Sequence, residues 1–298
     1  MIPFAKYHGC GNSFIIFRES DLIRAGFDGA CAEKKISAQA FSKLAEAVCS
    51  EQTGIGADGM ITVREKPGLE MIFYNRDGSR APMCGNGIRC FARYCRENGI
   101  AESDSFSVDT LAGIMKVDIS FSSIGTDRHA ADCEVEINMG RPDMEPAACS
   151  IVSGDPFLDR QLKLSDGTEA RVSSFFMGTV HTVLWDDEND LSDPEALGAQ
   201  ICTHEAYPEK TNVNMARLID RKTLELKTYE RGVGMTCACG TGACAAVVDG
   251  IRTGRLEGNT DVLLPYGKLS IRENENGEIM MKGPAAFVAE GGYMEEAK

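Results

Sequence analysis

Positive charge is what this chain has too little of. Its 298 residues hold 31 Lys and Arg against 45 Asp and Glu, a formal net charge of −14 at pH 7. Nucleic-acid binding depends on clustered cations that neutralise phosphates, and anionic lipid draws polybasic segments, so neither nucleic acid nor membrane is expected as a partner. Long apolar runs are missing too, and nothing approaches the roughly 18 to 20 consecutive apolar residues of a membrane-spanning helix. The opening MIPFAKYHGCGNSF has neither the basic nor the apolar region of a secretory signal. The expectation is a cytoplasmic protein. Pro- or Ser-rich tracts and long charge runs, the usual marks of a disordered linker, are also lacking, so any domain boundary has to be found from repetition.

Histidine is scarce, with four in the chain, whereas cysteine is not, with twelve. In a long chain without an export signal those thiols are expected to stay reduced, and most should be small buried hydrophobes. Cys31, Cys49, Cys133, Cys149 and Cys202 stand in no local motif and are assigned to packing.

The chain is written twice. At an offset of 155 residues LEMIFYNRDG from Leu69 lies over LELKTYERGV from Leu224, Cys84-Gly85-Asn86-Gly87 falls on Cys239-Gly240-Thr241-Gly242, and Gly99 falls on Gly254. LEMIFY and LELKTY are β-prone runs followed by a polar turn. After each Cys-Gly-X-Gly, apolar residues recur at helical spacing, Ile88, Phe91, Ala92 and Cys95 in one copy and Ala243, Ala246, Val247 and Ile251 in the other. Gly99 and Gly254 sit where a left-handed helix terminus is expected. Further strand pairs should bracket Gly113 and Gly267. A weaker echo matches GCGNSF from Gly9 to GTVHTV from Gly178, which makes Asn12 and His181 counterparts. The fold expected is α/β (α+β), two pseudo-symmetric duplicated domains, each a curved sheet or barrel wrapped on a central helix. The first is expected at 1–122 plus 284–298 and carries Cys84, the second at 123–283 and carries Cys239.

A helix N-terminus offers unpaired N–H groups and the positive end of the helix dipole, so it lowers a thiol's pKa and binds an anion such as a carboxylate. Glycines around Asn86 and Thr241 let backbone approach a ligand closely. Two such starts would hold a carboxylate between two sulfurs on opposite faces of one carbon. One thiolate could then remove a Cα proton while the other thiol supplied one, which is stereoinversion with no cofactor. Metal binding by Cys84, Cys90 and Cys95 or by Cys237, Cys239 and Cys244 is the competing reading. Their spacings, with five, four, one and four residues between successive cysteines, do not form the paired knuckles of structural zinc sites, and no metal is expected.

The ordered motifs HGCGNSF, GIGADG, YNRDGS, MCGNGIRCFARYC, NMGRP, TNVN, YERGVGMT and ACGTGACA resemble the diaminopimelate epimerase family across nearly the whole chain. CGTG alone would also resemble proline racemase. The family resemblance implies an epimerase independent of pyridoxal phosphate, acting on a small-molecule amino-acid substrate, with Cys84 and Cys239 as the acid and base pair. It implies that His181 assists Cys84 and Glu230 assists Cys239. Amides around Gly85, Asn86, Gly240 and Thr241 would hold the reacting carboxylate. Asn12, Asn75, Thr179, Asn212, Glu230 and Arg231 would line the pocket, Arg231 pairing a distal carboxylate. Asn12 and Asn75 also read as turn caps, and Arg231 as a solvated strand-end charge. A homodimer is compatible with the resemblance.

Two departures bear on the substrate. Thr179-Val180 stands where the family has Asn-Pro before the histidine, and Met235 where it has Glu. Diaminopimelate is the first expectation, a racemase of another amino acid such as histidine the second, and a catalytically silent binding protein the third. Loss of Cys84 or Cys239 would favour the third, and both are present.

Overall fold

Phe14, Ile15, Ile16 and Phe17 are all buried, as a strand covered on both faces requires and a half-solvated strand would not show. The computed structural model describes residues 1–29, 35–65, 68–122, 129 and 132–294. The chain forms two compact units, Met1–Ile137 with Gly283–Lys298, and Asn138–Lys282.

Unit 1 runs β1 (Ile2–Gly9), β2 (Asn12–Arg18), α1 (Glu19–Arg24), a 3₁₀ turn (Phe27–Gly29), α2 (Ala38–Cys49), β3 (Gly59–Arg64), β4 (Glu70–Asn75), α3 (Gly85–Glu97), β5 (Ser105–Thr110), β6 (Gly113–Phe121) and β7 (Cys133–Asn138). Unit 2 follows with α4 (Pro146–Cys149), β8 (Phe157–Lys163), β9 (Glu169–Phe176), β10 (Val180–Trp185), α5 (Pro194–Cys202), β11 (Asn212–Asp220), β12 (Thr223–Glu230), β13 (Gly234–Thr236), α6 (Gly240–Arg252), β14 (Thr260–Leu264), β15 (Gly267–Glu273) and β16 (Ile279–Pro284). The chain then returns to unit 1 as β17 (Ala286–Tyr293). The first crossing lies at Ile137/Asn138, not at the expected 122/123, because β7 continues the antiparallel ladder of β6, from Val117 opposite Ile137 to Phe121 opposite Cys133. The return crossing lies at Lys282/Gly283.

The repeat in sequence is a repeat in strand pairing. Unit 1 pairs its strands in the order β17-β1-β2-β3-β4-β5-β6-β7, with β2–β3 and β4–β5 parallel and the rest antiparallel. Unit 2 repeats the pattern as β8-β9-β10-β11-β12-β14-β15-β16, with β10–β11 and β12–β14 parallel. Parallel neighbours need a long crossover, and each of these four crossovers holds a helix, α2, α3, α5 or α6.

The helices take opposite faces of their sheets. Ser37 starts α2, its Oγ accepting from the Ala40 amide at 3.1 Å, and Phe41, Leu44, Ala45 and Val48 join Ile15, Phe17, Met60, Ile72 and Tyr74 in one cluster. In unit 2, Asp193 starts α5 by accepting from the Ala196 amide at 3.1 Å. Ile201 and Cys202 then pack with Val180, Leu184, Val213 and Met215. Helix α3 packs on β1, β2, β3 and β6, and α6 on β10, β11, β12, β14 and β15. Ile88, Phe91, Ala92 and Cys95 are fully buried, each such side chain contributing about 1 to 3 kcal/mol. Burial reaches further than one apolar stripe, since every residue from Gly85 to Cys95 is buried. A helix so enclosed must satisfy its polar side chains internally. Gly99 (φ 65°) and Gly254 (φ 74°) take the left-handed conformation just past the two helices. Among the described residues no helix is long and apolar enough to cross a membrane.

Candidate active site

Cys84 and Cys239 are the residues that start α3 and α6. Each has extended backbone, φ −135° and ψ 122° for Cys84, φ −120° and ψ 108° for Cys239. Their carbonyls accept the first intrahelical bonds, from Ile88 and Ala243, both at 2.9 Å. Neither side chain caps its helix, so the first-turn N–H groups keep their capacity for an anion. Cys84 is half-buried and Cys239 buried, and Cys239 Sγ lies 3.5 Å from Thr241 Oγ1.

The glycines of the two motifs divide their work. Gly85 and Gly240 open the helices. Gly87 and Gly242 instead face the protein: a Cβ on Gly87 would lie 3.3 Å from Ile61 and Met71, and one on Gly242 only 2.1 Å from Asn214 Oδ1. Sequence reasoning gave both glycines to ligand approach, whereas the second of each pair is required by the strands beneath.

In unit 1 the guanidinium of Arg89 is fully buried beside the first turn of α3. It donates to Gly85 O (3.1 Å), Asn86 Oδ1 (2.9 Å), Pro284 O (3.0 Å) and Cys10 Sγ (3.9 Å). No carboxylate pairs with it among the described residues, so a positive charge adds to the helix dipole there. Gly9 makes room for it, since a Cβ at that position would stand 2.7 Å from Arg89 Nη2. Asn12 begins β2, and its buried Oδ1 has no hydrogen-bond partner among the described residues. Asn75 closes β4 and is used by the following turn, its Nδ2 donating to Ser79 Oγ at 2.9 Å and its amide to Ser79 O at 2.9 Å.

Unit 2 supplies the remaining predicted residues. His181 on β10 is fully buried, with Asn214 Nδ2 at 3.0 Å from its Nδ1, and its Nε2 has no partner among the described residues. Asn12 and His181, matched by the weaker sequence echo, thus each hold one buried polar atom without a partner. Burial first, and then the charge of Arg231, push the His181 pKa down to about 3. Asn212 Oδ1 accepts from the Arg231 amide at 3.0 Å, and the Arg231 guanidinium donates to Glu209 O (3.1 Å) and Thr179 Oγ1 (2.9 Å). Arg231 is exposed and makes no ion pair among the described residues, whereas its repeat counterpart Arg76 faces Glu51 at 3.5 Å. Glu230 Oε1 accepts from Thr236 Oγ1 at 2.8 Å. Burial raises its pKa and the Thr236 hydrogen bond works against that rise.

The depressed His181 pKa has a consequence for stability. Between about pH 6.5 and 3 the unfolded chain binds a proton that folded His181 refuses, so this contribution is whole above pH 6.5 and is lost as pH falls. Urea unfolding should show wild type losing about 1.4 kcal/mol more per pH unit than His181→Gln between roughly pH 6 and 4. Equal slopes would mean that His181 is protonated in the fold.

Sequence reasoning missed Arg89, Asn214 and Thr236, and also Thr228, whose Oγ1 donates to Asn214 Oδ1. Asn214 left a signal, because residues two apart on a strand share a face and TNVN therefore puts two amides side by side. Cys49, Cys133, Cys149 and Cys202 are buried, and burial raises all four thiols, the first two to about 12. They pack as expected, while Cys31 lies outside the described residues. The eleven cysteines described are thiols, none of them joined in a disulfide.

A probable proline racemase from Agrobacterium radiobacter shares the fold, with a TM-score of 0.65 at 11% identity over 99% of this chain and 93% of that one. Residues 4–144 and 174–288 match the family model of diaminopimelate epimerase. The diaminopimelate epimerases of Desulfitobacterium hafniense and Clostridium perfringens are 37% and 35% identical to it, over 99% and 98% of this chain and 99% and 100% of theirs. The chain belongs to the diaminopimelate epimerase family, a family of isomerases.

Proposed function

We propose that this protein interconverts LL- and meso-diaminopimelate in the cytoplasm by a two-base inversion at Cα, with Cys84 and Cys239 as the acid and base pair. One observation carries the reading: two thiols occupy the same starting position on two equivalent helices of 13 residues, each ahead of a Gly-X-Gly turn. One thiolate takes the Cα proton and the other thiol returns a proton to the opposite face, so the substrate leaves inverted and the protonation states of the two sulfurs are exchanged. The amides of Gly85, Asn86, Gly240 and Thr241 hold the reacting carboxylate, which also delocalises the developing carbanion. His181 acts with Cys84 and Glu230 with Cys239, while Asn12, Asn75, Asn212, Thr179 and Arg231 bind the rest of the substrate. The polar atoms of Asn12 and His181 that lack a partner among the described residues, and the Arg231 charge that meets no carboxylate among them, support these roles.

A second reading, racemisation of a different amino acid, is favoured by the Thr179 hydroxyl, which engages Arg231 where the family has an asparagine. Incubation in deuterium oxide with a panel of L- and D-amino acids, read by mass spectrometry, separates the two. Deuterium should enter Cα of diaminopimelate faster than that of any other amino acid. Faster exchange into another member of the panel would transfer the function to that substrate, and no exchange into any would refute the inversion chemistry.

A further inference from the structure

We infer that Asn214 is a positioning residue that holds His181 in the neutral tautomer with its proton on Nε2, so the ring presents a hydrogen-bond donor and not a base at that atom. The orientation of the Asn214 carboxamide is set by its neighbours. Its Nδ2 lies 3.2 Å from Thr182 O, and a backbone carbonyl can only accept, so the nitrogen must face it. Its Oδ1 accepts from Thr228 Oγ1 at 3.1 Å. Flipping the amide would set two oxygens against each other inside a buried site, which costs about 1 to 3 kcal/mol for each group left unsatisfied.

With the amide fixed, the atom facing His181 Nδ1 at 3.0 Å is an N–H donor. Nδ1 must therefore offer its lone pair, and a neutral imidazole then carries its single proton on Nε2. Protonating Nδ1 would aim two donors at each other, and both residues are fully buried, beyond the reach of relieving water. The same carboxamide oxygen lies where a Cβ on Gly242 would be, so the glycine three residues after Cys239 leaves room for the amide. One side chain thus couples the start of α6 to the proton position on β10.

The bearing on catalysis rests on the epimerase reading. A neutral Nε2–H stabilises a thiolate or a developing negative charge by donating to it, and cannot relieve a thiol of its proton. His181 would then favour the ionised form of the sulfur it serves.

Long-range ¹H–¹⁵N spectra of the substrate-free protein labelled at its four histidines, assigned with His181→Gln, test the tautomer directly. Wild type should show a protonated Nε2 and a bare Nδ1 for His181, unchanged from neutral pH down to about pH 5. In Asn214→Asp the carboxylate can only accept, so the proton should move to Nδ1. Turnover should then fall about tenfold or more with little change in KM, a share of the roughly 10²- to 10⁴-fold that positioned proton-transfer groups supply. A proton on Nδ1 in wild type overturns the proposal, and needs no variant to fold. So does a proton that stays on Nε2 in Asn214→Asp, or a turnover that ignores its relocation. Because the spectra are recorded without substrate, an inactive wild type with the stated tautomer would count against the epimerase reading alone.

Discussion

Replacing either Cys84 or Cys239 with serine should lower epimerisation by about 10³-fold or more, at the scale of positioned acid–base catalysis, while leaving the fold intact. The thiolate is the base, and a serine hydroxyl ionises far too rarely near neutral pH to replace it. Serine is also among the best residues for the position both cysteines hold, because its oxygen accepts from the first-turn amides. Neither thiol makes that capping bond in the native protein. Each helix should therefore be as stable as before or more so, and lost activity cannot be ascribed to unfolding. Each variant should still eliminate halide from a β-halo analogue of the substrate, a reaction that needs one base only. Normal turnover by either serine variant would refute the two-thiol mechanism.

The second large effect should fall on Arg231. Its guanidinium is held by two neutral oxygens, Glu209 O and Thr179 Oγ1, and its charge meets no carboxylate among the described residues. A distal substrate carboxylate would complete it with a charge-assisted pair. Because Arg231 is exposed, the full loss from truncating a buried charge pair is not expected, and about 2 to 3 kcal/mol is the appropriate range. Arg231→Ala should lower kcat/KM for diaminopimelate roughly 30- to 150-fold, and should matter far less for an amino acid without a distal anion. Restoring the family residues, Thr179→Asn with Val180→Pro and Met235→Glu, should raise activity on diaminopimelate if those departures retuned recognition. A wild type that prefers diaminopimelate, and a restored variant that gains nothing, would show the departures to be neutral.

Repetition made much of this protein legible in its sequence. A Cys-Gly-X-Gly repeated at a fixed offset, with helical spacing after it and a glycine beyond, is enough to place two thiols at two helix starts. Such signals are local, and they survive because each residue meets a conformational demand within its own turn. Arg89 is a different case. Nothing local distinguishes it from a solvated helix arginine, since its burial depends on a carbonyl of Pro284, 195 residues away in sequence. Asn214 escaped for a related reason: its partner lies 33 residues upstream and is brought to it by the parallel register that sets His181 against Asn212. Asn75 is legible in both of its readings, because the following turn takes its Nδ2 and its amide, as a residue ahead of a polar turn allows. The end of unit 1 was misplaced because a strand that finishes a ladder looks, in sequence, like one that begins another.

The return of the chain as β17 governs the order in which the protein can be made. Unit 2 is one continuous segment, Asn138–Lys282, so all of its strands are available once that segment has been made. Unit 1 still lacks a strand at that point, because β1 is completed by β17, with Ile2 opposite Tyr293. Closing contacts so far apart in sequence is slow, since the entropy of the intervening loop must be lost before the contacts form. Until then Arg89 and Arg93 lack the carbonyls of Pro284 and Ala285 to which they donate in the finished unit. The helix that begins with Cys84 therefore reaches its native surroundings only after β17 has been translated, later than the whole of unit 2.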